Sequence, residues 1–94
     1  MTAYWIAHVT IHDHNQYQKY TQLAKEVFPK YEAVYLVRDE NPHHLEGPSY
    51  QRHVIIQFPS MEKALECYHS EEYQNAKKQR ERACDVQVTL THCL

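Results

Sequence analysis

Residues 3–12 read AYWIAHVTIH, ten positions in which β-branched and aromatic side chains dominate and apolar residues recur at every second place. Period-2 alternation of this composition is a strand signature and does not gather onto one side of a helix. Trp5, Ala7, Val9 and Ile11 form one face of that strand; Tyr4, Ile6, His8 and Thr10 form the other. The first face is apolar and has to be covered, so the rest of the chain must supply a second layer. Its 94 residues allow one domain, spanning 1–94, and no second core.

The covering layer follows directly. Asp13 is an N-cap residue with Gln16 three places on, a capping-box spacing. After it Tyr17, Tyr20, Ala24, Val27, Phe28 and Tyr31 recur at spacings of three and four, an amphipathic helix. Pro29 kinks or ends that helix, because it removes a backbone donor. Residues 33–38 form a second, short strand; Asp39 to His44 is a polar, Pro-containing loop, and residues 45–50 hold the only Gly. Residues 52–58, RHVIIQF, form a third strand whose apolar run suits a central position covered on both faces. Ser60 caps a helix carrying Ala64, Leu65 and Tyr68 inward. Ser70 caps a continuation with Glu71 and Glu72 in its first turn, where the helix dipole favours anions. The basic run 77–82 closes that continuation as a solvated helix end, and residues 85–92 are a fourth strand. The order is β-α-β-β-α-β, the split-βαβ, ferredoxin-like arrangement of the α+β class. Right-handed crossovers set the strand order 4-1-3-2, with both helices on one face.

Composition excludes several functions. Net charge is −2 with the eight His neutral, so a nucleic-acid partner is not expected. No apolar run approaches the ~20 residues of a membrane span, and the N-terminus lacks a signal-peptide pattern, so no membrane association is expected. Cys67, Cys84 and Cys93 are odd in number and match no zinc or redox spacing. They read as free thiols of a cytoplasmic protein. No Gly-rich loop offers a phosphate cradle, and no cofactor is expected.

The uncovered sheet face carries the functional expectation. The helix face should hold Ala7, Val9, Ile11, Val54, Ile56, Phe58, Val86, Val88 and Leu90; the other should hold Ile6, His8, Thr10, Ile55, Gln57, Gln87, Thr89 and Thr91. The second set is neither a core nor a solvated surface, and such a face is an association site. A two-fold homodimer with facing sheets would cover it. The space enclosed would be either a small-molecule pocket or a wet interface in which Thr and Gln satisfy one another.

Several stretches resemble a known family over essentially the whole chain. They are Tyr4-Trp5-Ile6-Ala7-His8-Val9, Asp13 with Tyr17 and Tyr20, Leu45-Glu46-Gly47, Val54 through Ser60, and above all Tyr68-His69-Ser70-Glu71-Glu72-Tyr73-Gln74. They are similar to the domain-of-unknown-function family numbered 1330, of the dimeric α+β-barrel superfamily. The resemblance implies a ferredoxin-like protomer and a homodimer, and no established reaction. It differs at Glu32-Ala33 and Asp39-Glu40, where family members carry glycine pairs, so a different turn shape is expected at both.

Among candidate site residues, His8 projects from a central strand toward the mixed face and could serve as a general base or acid. Gln57 on the neighbouring strand could orient a bound carbonyl, with Thr10 and Thr89 lining the same space. Glu46 could place a carboxylate at its mouth. The competing reading of His8 is a hydrogen-bonded interface histidine. His12, His14, His43 and His44 read as loop histidines, since zinc-type sites want three or four converging ligands, and no metal is expected. His69-Ser70 has no carboxylate placed to complete a triad. Two functions follow: a small-molecule-binding barrel, extending to a cofactor-independent enzyme, or a non-catalytic dimer that binds a metabolite or a protein.

Overall fold

The computed structural model describes all 94 residues. Strand β1 (Ala3–Ile11) leads into helix α1 (His14–Val27), a 3-10 turn over Phe28–Tyr31, and strands β2 (Val34–Asp39) and β3 (Arg52–Phe58). Helices α2 (Met61–His69) and α3 (Glu71–Lys78) follow, and β4 (Cys84–His92) completes the sheet. The four strands are antiparallel in the order β2-β3-β1-β4, which is the expected 4-1-3-2 order read from its other edge. This is the ferredoxin-like fold. No helix is long and apolar enough to cross a membrane.

The caps form where the side chains promise them. Asp13 accepts from the Gln16 amide at 3.1 Å, while the Gln16 side chain reaches away to donate to the Gln79 carbonyl at 2.8 Å. That bond ties the start of α1 to the exit of α3. Ser60 accepts from the Lys63 amide at 3.1 Å. Ser70 serves two helices at once: its hydroxyl accepts from the Tyr73 amide at 3.1 Å and donates to the Cys67 carbonyl at 2.7 Å.

Alternation along β1 and β3 is as the sequence requires. Ala3, Trp5, Ala7 and Val9 are buried, as are Val54, Ile56 and Phe58, and the residues between them are half-buried. Trp5 is the hub of the core, with ring centroids 5.2 Å from Phe28, 5.9 Å from Phe58 and 5.1 Å from Tyr73. Such aromatic pairs contribute roughly 0.5–1.5 kcal/mol beyond their area burial.

Several expectations need correction. Leu65 is exposed rather than inward: α2 turns Ala64 and Cys67 into the core, and a residue beside Ala64 lies a quarter-turn away. The basic run is not wholly solvated, since α3 ends at Lys78 and the turn that follows folds Arg80 back into the interior, 7% exposed. The turn at Glu32 keeps a left-handed residue without glycine, because Glu32 itself sits at φ 60° and caps the 3-10 turn. At the second departure no residue has positive φ, and Asp39 accepts from the Asn41 amide at 2.9 Å instead. The outer face of β3 is half-buried within the protomer, not covered.

Candidate functional site

Register decides which outer-face side chains meet. Across β1 and β3, His8 stands opposite His53, Ile6 opposite Ile55, and Tyr4 opposite Gln57. Across β1 and β4, His8 stands opposite Gln87, Ile6 opposite Thr89, and Thr10 opposite Asp85. His8, Thr10, Thr89 and Gln57 therefore share the face away from the helices. His8 and Gln57 do not approach each other as expected: four residues of strand separate their rows, ~14 Å at about 3.4 Å per residue. Parity along a strand was readable from the sequence, and the offset between two strands was not. Glu46 lies exposed in the turn carrying Gly47.

The partner of His8 is His53, whose role the sequence reading missed. The two Nδ1 atoms are 2.8 Å apart. The Nε2 of His53 lies 3.2 Å from the Tyr50 carbonyl oxygen, which can only accept, so that nitrogen carries its proton. Neutral His53 then has a bare Nδ1, and His8 donates to it, leaving Nε2 of His8 without a proton. Burial, and then the neighbouring His53, hold the His8 pKa below its ordinary value. His44 donates to the same Tyr50 carbonyl at 2.8 Å, and His12 pairs with Asp85 at 2.9 Å. No three His, Cys, Asp or Glu side chains gather closely enough to hold a metal ion.

The principal cavity is on the other side of the sheet. A cleft of about 710 Å³ opens between α1 and the strands, within the ~300–1,000 Å³ of small-molecule sites. None of His8, Thr10, Glu46, Gln57 and Thr89 lines it. It exists because α1 leans on α3 rather than settling on the sheet, and because no helix covers β2, whose six residues are all exposed. Small side chains, Ala7 on β1 and Ala24 on α1, leave the gap unfilled. The buried Trp5, Phe28, Val54 and Ile56 lie beneath it; Tyr17 and Tyr20 of α1 and Tyr35 of β2 make its walls. Gln18, Gln22 and Lys25 on α1 and Arg38 to Asn41 after β2 edge its mouth. Arg52 and Arg80 lie against the tyrosines. The Arg52 guanidinium lies 5.8 Å from the Tyr17 ring centre, and that of Arg80 lies 4.9 Å from the Tyr20 ring centre. Arg80 also donates to the Tyr73 hydroxyl at 3.3 Å, and that hydroxyl bonds Tyr20 at 2.8 Å. The tyrosines read from the sequence as a packing stripe. Nothing in their spacing marks them as cleft walls, because the gap depends on how far α1 stands from the sheet.

Known proteins bear on this fold in two ways. No curated protein matches the sequence. Among solved structures, a protein of unknown function from Rhodopseudomonas palustris superposes with a TM-score of 0.82 at 18% identity, over 99% of this chain and 82% of that one. A dimeric ferredoxin-like protein of unknown function from Jannaschia sp. gives 0.79 at 9% identity, over 99% and 100%. SnoaB, a cofactor-independent oxygenase from Streptomyces nogalater, gives 0.68 at 7% identity, over 99% and 93%. These likenesses establish the fold. In sequence, residues 2–93 match the family profile "Domain of unknown function (DUF1330)", and with nearly every residue inside that match the chain belongs to this family.

Proposed function

We propose that the protein is a small-molecule-binding homodimer whose ligand enters the cleft between α1 and the sheet in each protomer. The observation that carries this reading is the cleft itself, about 710 Å³ with tyrosine walls and a polar mouth, in a domain of only 94 residues. A concave space of this size with convergent polar groups is what a ligand site requires. The catalytic reading, a cofactor-independent enzyme, draws on the likeness to SnoaB alone, and 7% identity carries a fold and not a reaction.

Self-association is assigned to the outer sheet face. Ile6, Ile55 and Tyr4 are half-buried there, and the edge strand adds Val34 (54% exposed) and Val37 (37%), which pair with Gln57 and Ile55. Neighbours of this fold from Jannaschia sp. and Thermobifida fusca are dimeric, in keeping with such a surface. On this reading His8, Thr10, Gln57 and Thr89 are interface residues, and the His8–His53 hydrogen bond lies within each protomer at that interface.

Binding of the neutral dye Nile red tests the assignment. Its fluorescence should rise on adding the protein, and Thr21→Trp, which fills the cleft, should abolish that rise. Ile6→Asp on the outer face should leave it intact. Loss with Ile6→Asp and retention with Thr21→Trp would put the ligand between the sheets and overturn the assignment.

A further inference from the structure

The polar groups of the cleft are of one dominant sign. Lys25, Arg38, Arg52 and Arg80 line it against Asp39 and Glu40, although the chain as a whole carries a net charge of −2. Arg80 is the deepest of the four, 7% exposed, and meets no carboxylate. Its contacts are a neutral hydroxyl, Tyr73 at 3.3 Å, and a ring face, Tyr20. Burial pushes the Tyr17 hydroxyl up to about 12 and holds those of Tyr20 and Tyr73 above their ordinary value, so none of them supplies a negative charge at neutral pH. The Arg52 side chain is 17% exposed, and its one carboxylate neighbour is Glu40, 3.7 Å away and itself 67% exposed at the mouth. Both guanidinium groups have a buried Nε with no hydrogen-bond partner. A buried cation without a counter-ion is costly, and an orphaned donor adds to the cost. An Nε–H and the Nη–H beside it form the planar fork that grips a carboxylate through two parallel bonds.

We propose that the cleft takes its ligand as an organic anion, a flat aromatic or otherwise conjugated carboxylate, with the anion drawn to the cationic lining of Arg80 and Arg52 and the ring against the Tyr20 and Tyr35 walls. The inference rests on the cleft being the ligand site and adds the chemical class of what enters it. The Tyr17 and Tyr20 rings on which the two cations lie are 5.4 Å apart, so both charges border the same stretch of wall. An anion there compensates the charge of Arg80, which the fold leaves unpaired. A neutral ring of the same shape gains only the tyrosine walls.

Isothermal titration with 2-naphthoate and with its uncharged isostere 2-naphthamide separates the two contributions. The expected result is naphthoate binding at least tenfold tighter than naphthamide, with an affinity that falls as salt is raised. Arg52→Gln and Arg80→Gln should each weaken naphthoate about tenfold or more while leaving naphthamide unchanged. Should Arg80→Gln fail to fold, Arg52→Gln on the half-buried residue carries the test, with Lys19→Gln as the control for loss of a charge outside the cleft lining. Equal affinity for the two probes would overturn the anion site and leave the cleft standing as an apolar one. Tight naphthoate binding that neither arginine substitution changes would also overturn it, by placing the anion elsewhere. Binding of neither probe would overturn the anion site and the cleft reading together.

Discussion

At the scale of single residues, His8 shows how a side chain can be rightly placed and wrongly partnered. Its strand parity was legible in AYWIAHVTIH, but its hydrogen bond goes to His53, because register aligns those two residues and displaces Gln57 by four. Its pKa stands below 6.5, from burial first and from His53 second, and Tyr50, His44 and Gln87 are the other groups about the pair. A histidine with a depressed folded-state value binds fewer protons folded than unfolded. Stability is therefore complete above pH 6.5 and declines as the pH falls through 6.5 toward the lower folded value. Chemical denaturation between pH 7.5 and 5 should show this decline, and His8→Leu should flatten it. An identical pH slope in wild type and variant would remove His8 as its source. Arg80 is the opposite case, a residue misplaced by reading charge alone. In a run of six mostly charged positions nothing distinguishes the one that folds inward, and the turn after Lys78 decides it.

At the scale of elements, the caps were the most legible feature, since a cap needs only a side-chain oxygen and an amide three residues on. Ser70→Ala should destabilise the fold by about 0.5–2 kcal/mol, toward the upper end, because the hydroxyl bonds both α3 and the last turn of α2. Urea denaturation measures this, and dimerisation and cleft binding should survive. A change below a few tenths of a kcal/mol would show that water replaces both bonds. Glu32 permits the reverse experiment. A non-glycine residue in the left-handed region costs roughly 1–2 kcal/mol, while glycine costs about 0.5–1 kcal/mol in unfolded-state entropy. Glu32→Gly should therefore stabilise the protein by roughly 0.5–1 kcal/mol, and a destabilised variant would mean that the Glu32 side chain has a compensating role. The packing of α2 was less legible. Leu65 is the more apolar candidate, yet Cys67 lies on the buried arc and Leu65 does not, because helix phase overrides hydrophobicity once α2 is anchored at Ser60.

At the scale of the whole molecule, one sheet carries two different surfaces. Helices cover the inner face incompletely and leave the cleft; the outer face stays half-exposed, and we assign it to a second copy. Light scattering at micromolar concentration should report about twice 11.3 kDa, and Ile6→Asp, which sets a charge at the centre of the outer face, should report a monomer. A monomeric wild type would sink the dimer while leaving the cleft of the protomer untouched.

The sequence by itself determined the order of elements, the topology, the faces of β1, β3 and β4 and the residues that cap each helix. Elements, faces and caps follow from local periodicity and from hydrogen bonds spanning three or four residues, and the topology from the handedness of the crossovers. Register, cleft and buried charge were decided by the tertiary structure. Register depends on aligning strands more than forty residues apart, which is how His53 rather than Gln57 came to face His8. The cleft depends on the distance at which α3 holds α1 from the sheet, and no pattern within α1 encodes that distance. Arg80 became its buried cation because the chain leaving α3 must turn back sharply to reach β4, and that turn carries the guanidinium under α1 against Tyr20 and Tyr73.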